Sequence, residues 1–575
     1  MQHHEKDNRQ LWYIAVFFIL ITILIIGKLF VLQIIQSDYY RTFALTAHEI
    51  YQQLHPKRGE VFFQDSRTKK EYPAAINRQY FLIYAVPKEI KTEMVSSTVE
   101  KLISILSLPE TDREILNKKL SKNNDLYEPI TKKIDGDTVE ILKTEKLSGI
   151  YFTPQEYRYY PEGNIAAPIL GFCRLDDTGT QQIGSYGVEG YWNKILTGHQ
   201  GFISGERGAL GSWITMALHS QVKAQDGADL LLTIDRSLEY KACDLLQKGL
   251  EEYQAKSASL VLMNPKTGAI LAMCSLPDFD PNKYSDVKDL RSFSNNAIFA
   301  PYEPGSVFKP ITMAAGLDLG LVSPNTTFVD PCVRVINGYS IHNAQNKCYD
   351  TKTMTQVLEN SINTGMIFVE EKLGHERLDD YVKKFGFGEK TGIELGPEAA
   401  GDISSLERKG DIFGAVGSFG QGLTVTPIQI ATAYSAIANQ GLLPKPFIIA
   451  ETRYPNGKKE VTPIENSERV ISERSAKLLS GMLTSVVENH YKIAKVDGYY
   501  VAGKTGTAQI PENGKYSEDR TNQTFAGFAP ATNPQFVLVV KYEEPQRKWA
   551  EQTSLFVFRD LMKFALQYYA VPNDR

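Results

Sequence analysis

A chain of 575 residues, 42% hydrophobic and 23% charged, is long enough for several domains and too apolar to be disordered. Its net charge of −4 gives no electrostatic reason to expect a nucleic-acid partner. The five cysteines (Cys173, Cys243, Cys274, Cys332, Cys348) are too scattered for a metal site, and none is paired as C-x-x-C. Cys332 and Cys348 flank one short segment and could form a disulfide in an oxidising compartment.

Leu11 to Gly27 carries no charge, and the apolar character resumes after Lys28 as Leu29 to Ile35, long enough to span a bilayer. No small-residue cleavage site follows, as a signal peptide would require. Trp12 and Tyr13 at one end and Tyr39 and Tyr40 near the other suit membrane interfaces. The expected layout is a short cytoplasmic tail (1–10), an uncleaved transmembrane anchor (11–35) and the rest of the chain outside the cytoplasm. Residues 36–228 mix short strands, such as Tyr80–Val86 and Tyr151–Tyr160, with amphipathic helices at Lys91–Leu106 and Glu110–Leu120. They show no catalytic constellation and read as a structural or docking module.

A second domain, 229–575, opens with a strand at Leu230–Ile234, a helix at Ser237–Tyr253 and a hairpin, Ser259–Met263 with Ala269–Met273. Strands at Tyr499–Ala508, Thr524–Ala529 and Phe536–Tyr542 and a helix at Leu555–Tyr569 close the chain. A hairpin joined to C-terminal strands with helices between predicts an antiparallel sheet backed by helices, the α+β class. Thr426-Pro427-Ile428-Gln429 combines a cap, a proline at the first helical position and a glutamine closing a capping box. The helix it starts, to Ala438, is apolar nearly all round and should be buried.

Within this domain Pro304-Gly305 delivers Ser306, and Lys309 follows one helical turn later. If the chain is helical there, the lysine amine can meet the serine hydroxyl and activate it as a nucleophile. Pro310, in the first turn, removes a backbone donor at a cost in stability. Three other serines precede a lysine at this spacing: Ser66, Ser220 and Ser285. Context must separate them. Downstream, Ser361-Ile362-Asn363 falls between two helical patterns, where Ser361 can relay a proton and Asn363 can bond a substrate amide. Ser294-Asn295-Asn296 matches the same pattern but precedes Ser306. Lys504-Thr505-Gly506-Thr507 follows, and only this KTG, unlike those at Lys266 and Lys390, lies in a candidate strand. Lys504 and Thr505 could attract a carboxylate, and Gly506 permits close approach.

Ordered S-x-x-K, S-x-N and K-T-G, embedded in YEPGSVFKP, ENSINTG, GQGLTVTPIQIATAYSAIANQG and VAGKTGTAQ, resemble the transpeptidase domain of penicillin-binding proteins. PKRGEVF and the RYYPEG…VEGYW…LTGHQG region are similar to the pedestal, or dimerisation-like domain, of class B members. Two departures lie in that pedestal: Ala166-Ala167-Pro168 lacks a histidine found in many members, and Gln64-Asp65-Ser66-Arg67 stands where Asp-Arg is usual.

The resemblance implies a peptidoglycan D,D-transpeptidase acting on stem peptides. Ser306 is the expected nucleophile and Lys309 its base, with Ser361, Asn363 and Lys504 completing the catalytic set. Backbone N–H groups of Ser306 and Thr507 are the expected oxyanion hole, and Lys504, Thr505, Gly506 and Thr507 bind substrate. β-Lactams are the expected covalent inhibitors, and a polytopic glycan polymerase and division proteins the expected partners. No metal or organic cofactor is implied. YEPGS and the modest pedestal favour a septal over an elongation type. A D,D-carboxypeptidase or β-lactamase, a penicillin-sensing receptor and a catalytically silent division scaffold are the alternatives.

Overall fold

The computed structural model describes residues 16, 19–22, 24–31, 49–122, 124–176, 181–206, 220–465, 468–512 and 515–575. The expected anchor, 11–35, lies only partly among them. Among the described residues no helix is long and apolar enough to cross a membrane.

The chain divides into two units, 1–56 with 198–226 and 57–197 with 227–575. The first contains an antiparallel three-stranded sheet of Glu49–Leu54, Gly201–Glu206 and Ser220–Val222. The elements numbered below belong to the second.

In chain order its main elements begin with β1 (Val61–Gln64), β2 (Glu71–Ala85), α1 (Val95–Leu106), β3 (Glu128–Ile134) and β4 (Ile150–Tyr159). Helix α1 starts four residues later than Lys91 because a 3-10 turn, Thr92–Met94, precedes it. Next come β5 (Asp229–Asp235), α2 (Arg236–Tyr253), β6 (Ser257–Met263) and β7 (Ile270–Leu276). A helical middle follows: α3 (Lys309–Asp318), α4 (Met354–Glu359), α5 (Asn363–Leu373) and α6 (Pro427–Ala438). The last group is β8 (Ile449–Arg453), β9 (Lys459–Val461), α7 (Glu473–Asn489), β10 (Ala502–Glu512), β11 (Lys515–Ala529), β12 (Phe536–Glu543) and α8 (Ser554–Tyr568).

Two sheets organise this unit. The first runs β9-β8-β5-β1-β2-β3, with β4 also paired to β2. Strand β5, the first of the expected second domain, pairs parallel with β1 of the expected first. One sheet therefore serves both stretches of sequence. The second sheet, β7-β6-β12-β11-β10, is antiparallel throughout, as the α+β reading predicts. Strands β6 and β7 are buried at every position, so both faces are covered. Helices α2 and α8 pack on this sheet and on each other, as do α6 and α7. Strand β10, which carries Lys504, is its edge.

The cap of α6 forms as predicted. Thr426 Oγ1 accepts from Gln429 N and Gln429 Oε1 accepts from Thr426 N, and all twelve residues of the helix are buried. Residues 498–501 do not join β10, because Tyr499 N closes a turn onto Val496 O and Tyr500 N is held by Asp574. Cys332 and Cys348 are bridged, as their spacing allowed, and Cys243 of α2 is bridged to Cys274 of β7.

Three words of the N-terminal half meet in one buried cluster. Arg58 (of PKRGEVF) and Arg158 (of EYRYYPEG) both pair with Glu189 (of VEGYW), at 2.5 and 2.6 Å. Asn193 and Thr197 accept from Arg58 Nη1 at 2.9 Å each. Glu189 is wholly buried; burial pushes its carboxyl up, but the two guanidiniums prevail and hold it at about 2.

Candidate active site

From Tyr302 to Leu317 every residue is buried except Ser306. The turn that exposes it is a short 3-10 helix, Gly305–Phe308, running directly into α3. Gly305 adopts φ +55°, left-handed backbone that glycine reaches without strain. Its N–H is held by Gly420 O at 2.9 Å, and Tyr302 exchanges two backbone hydrogen bonds with Val425. The nucleophile turn is thus tied to the strand-like segment that leads into α6.

Pro310 turns out to be well tolerated. It occupies the second position of α3, where a backbone N–H has no partner within the helix anyway. The buried Tyr434 hydroxyl of α6 donates to the Val307 carbonyl at 2.8 Å, which helps fix the turn against α6.

Lys309 departs from the simplest expectation. Among the described residues no hydrogen bond joins its amine to Ser306. Instead Nζ lies 2.6 Å from Ser361 O, 2.8 Å from Asn363 Oδ1 and 3.2 Å from Ser361 Oγ. The residue is fully buried. Burial, reinforced by the nearby Lys504 charge, pushes its amine well below the ordinary 10.5. A neutral amine has two N–H groups and one lone pair. The Ser361 carbonyl and Asn363 Oδ1 can only accept, so they take both hydrogens. The lone pair is left for a hydroxyl proton, which is what a general base requires.

The S-x-N turn is built to hold that arrangement. Ser361 sits in left-handed backbone, φ +54°, between α4 and α5, and both its carbonyl and its hydroxyl face Lys309. Asn363 donates through Nδ2 to His342 O at 2.9 Å, which fixes Oδ1 toward the lysine. Thr364 donates to Asp330, and its N–H to Asn343 Oδ1. Residues 330–349, closed by Cys332–Cys348, thereby brace the turn.

Lys504 is also fully buried, with Nζ 3.2 Å from Thr505 O and over the Tyr491 ring at 5.4 Å. Burial lowers its amine to about 7 against an opposing pull from Glu551. No hydrogen bond links it to Ser361 among the described residues. Thr507 Oγ1 accepts from Ala550 N at 3.3 Å. Gly506 meets the nucleophile turn so closely that a Cβ there would lie 2.8 Å from Pro304 O and 3.2 Å from Val307 N. Gly506→Ala should therefore displace β10 from Ser306 and slow any acylation of that serine about 100-fold. Stopped-flow acylation kinetics, with circular dichroism to confirm folding, would check this.

The look-alike motifs do other work. Ser285 is exposed and bonded to its neighbour Asp286, and Lys69, three residues after Ser66, is exposed too. The Ser220 side chain lies outside those described. Asn295 of the early S-x-N caps a short helix by accepting from Ala297 N. Lys266 and Lys390 are exposed, and Lys266 bonds Asn533. Only the third KTG is buried at a cleft.

Two connected hollows meet at Ser306, Ser361, Thr507 and Trp549. One, about 650 Å³, runs past His342, Gln509 and Tyr516. The other, about 500 Å³, runs past Thr505 to Glu359, Tyr491 and Glu551. Trp549, Tyr491, Tyr516 and Glu551 were not singled out from sequence. They belong to none of the motifs, and no spacing marks them.

Known proteins match the chain along nearly its whole length. Residues 258–563 match the family described as the penicillin binding protein transpeptidase domain, and residues 53–232 the penicillin-binding protein dimerisation domain. The chain is similar to stage V sporulation protein D of Bacillus subtilis, 32% identical over 546 residues, covering 94% of this chain and 82% of the relative. It is 29% identical over 558 residues to peptidoglycan D,D-transpeptidase FtsI of Escherichia coli, covering 96% of this chain and 90% of that one. A crystal structure of penicillin binding protein 3 from Mycobacterium tuberculosis with aztreonam superposes with a TM-score of 0.70 at 25% identity, covering 91% of this chain and 98% of that one. With a dimerisation-type domain ahead of a transpeptidase domain along nearly its whole length, the chain belongs to the penicillin-binding protein transpeptidase family, as a class B member.

Proposed function

We propose that the protein is a membrane-anchored serine D,D-transpeptidase that cross-links peptidoglycan stem peptides through an acyl-enzyme on Ser306. The observation that carries this reading is the buried Lys309 amine, whose two hydrogens are claimed by Ser361 O and Asn363 Oδ1 near the one half-buried, rather than buried, residue of its turn. Ser306 Oγ attacks the carbonyl between two D-alanines, and its proton passes to Lys309. The C–N bond breaks and the leaving amine takes a proton through Ser361, with Lys504 alongside. Backbone N–H groups of Ser306 and Thr507 stabilise the oxyanion. An amine of a second stem peptide then attacks the acyl carbon, the ester bond to Ser306 breaks, and the serine recovers its proton.

β-Lactams acylate the same serine in this reading, in keeping with the aztreonam complex of the mycobacterial relative. Septal wall synthesis, in keeping with the similarity to FtsI, completes the reading, with a polytopic glycan polymerase and division proteins as its proposed partners. The charge-free run Leu11–Gly27 supports a single-pass anchor with the catalytic domain outside the cytoplasm. In its described part, side chains such as Leu24 (71% exposed) and Ile26 (60%) are uncovered, as lipid contact requires.

Fluorescent-penicillin labelling tests the assignment. The wild type and Ser285→Ala should label alike, and Ser306→Ala should not label. Labelling that survives in Ser306→Ala would refute it.

A further inference from the structure

A transpeptidase must hold two peptides, and the two hollows that meet at Ser306 differ in chemistry. The larger, past His342 and Tyr516, has no carboxylate among its lining residues. The smaller has two, Glu359 and Glu551, with Lys347 and His490 also on its walls. Their states differ. Glu359 Oε1 already accepts from Ser485 and Asn489 at 2.6 Å each, and Oε2 lies 3.9 Å from His490. Glu551, half-buried, has no hydrogen bond or ion pair to its carboxylate among the described residues.

Direction follows from the chemistry. The amine that leaves the donor and the amine that resolves the acyl-enzyme use the same face of the same carbonyl, since attack retraces departure. The leaving residue carries a carboxylate; Thr505, suited to attract it, lines the smaller hollow, with the buried Lys504 Nζ 3.2 Å from the Thr505 carbonyl. The arriving amine must enter where that residue has left. At neutral pH it arrives as an ammonium, which a free carboxylate attracts and a wall without one does not.

Resting on the transpeptidase reading, we propose that the smaller hollow is the acceptor site and that Glu551 there holds the ammonium of the incoming stem peptide. The acyl–Ser306 ester and the ammonium give an amide, free Ser306 and one proton released. The donor chain occupies the larger hollow. Glu551 thus sets specificity for an amine over water as the group that discharges the acyl-enzyme.

The test uses the full chain in detergent, an N-acyl-D-alanyl thioester as donor, and a dipeptide whose only free amine is a lysine side chain as acceptor. The ratio of amide to hydrolysed acid is read at rising acceptor concentration. In Glu551→Gln the ratio at low acceptor should fall about fivefold and recover at saturating acceptor, and Glu551→Asp should restore part of it. A ratio unchanged in Glu551→Gln, or a fall that saturating acceptor does not repair, would overturn the proposal. Failure of the underlying reading looks different: the wild type would form no amide at all, or Ser306→Ala would still consume the thioester.

Discussion

Replacing Lys309 by methionine should lower the rate of acylation by penicillin roughly 1,000-fold, the share carried by a positioned general base. Methionine approximates the length of the side chain and suits a fully buried site, but it offers no lone pair to the Ser306 proton. It also leaves Ser361 O and Asn363 Oδ1 without the N–H groups they now accept. Some loss of order in the S-x-N turn should accompany the loss of rate, and a melting curve separates the two. The wild-type pH profile carries the same signature. Only the neutral amine can take a proton, and burial followed by the Lys504 charge depresses the Lys309 pKa. The rate should rise with pH and level off well below the ordinary lysine value of 10.5. Stopped-flow acylation across pH would read this directly.

Glu189→Gln should be the most damaging single change to stability outside the cleft. It leaves Arg58 and Arg158 buried with no counter-charge, a loss of about 3–5 kcal/mol. Chemical denaturation of the two proteins would measure it. The sign with pH follows from the carboxyl held at about 2 against its usual 4.5. A depressed carboxyl gives stability that is complete above its unfolded value and disappears as pH falls through the folded one. The wild type should therefore lose that advantage between pH 4.5 and about 2, and the variant should be flatter across the same interval.

What could be read from the sequence was mostly local. Thr426 and Gln429 are three residues apart, so their reciprocal cap is written in adjacent letters, and the β6–β7 hairpin likewise. The candidate site residues Ser306, Lys309, Ser361, Asn363, Lys504 and Thr507 were legible as an ordered set of motifs. What they do to one another was not. Lys309 finds its partners 52 and 54 residues away, in a turn whose left-handed serine no pattern announces. The benign position of Pro310 depends on a 3-10 turn that delays the start of α3. The Arg58–Glu189–Arg158 cluster spans 131 residues, and its three members looked like separate family words. The Cys243–Cys274 bridge joins a helix to a strand, and it needs α2 folded onto the sheet before the two sulfurs meet.

Ser306 is expected to carry an acyl group until an amine removes it. Rapid-quench mass spectrometry of the full chain with the thioester donor tests it most directly. A single acyl adduct is expected on the peptide containing Ser306, absent in Ser306→Ala and discharged faster, as amide, when an amine acceptor is added. An adduct on any other residue, or a Ser306 adduct that water discharges and an amine does not, would contradict it.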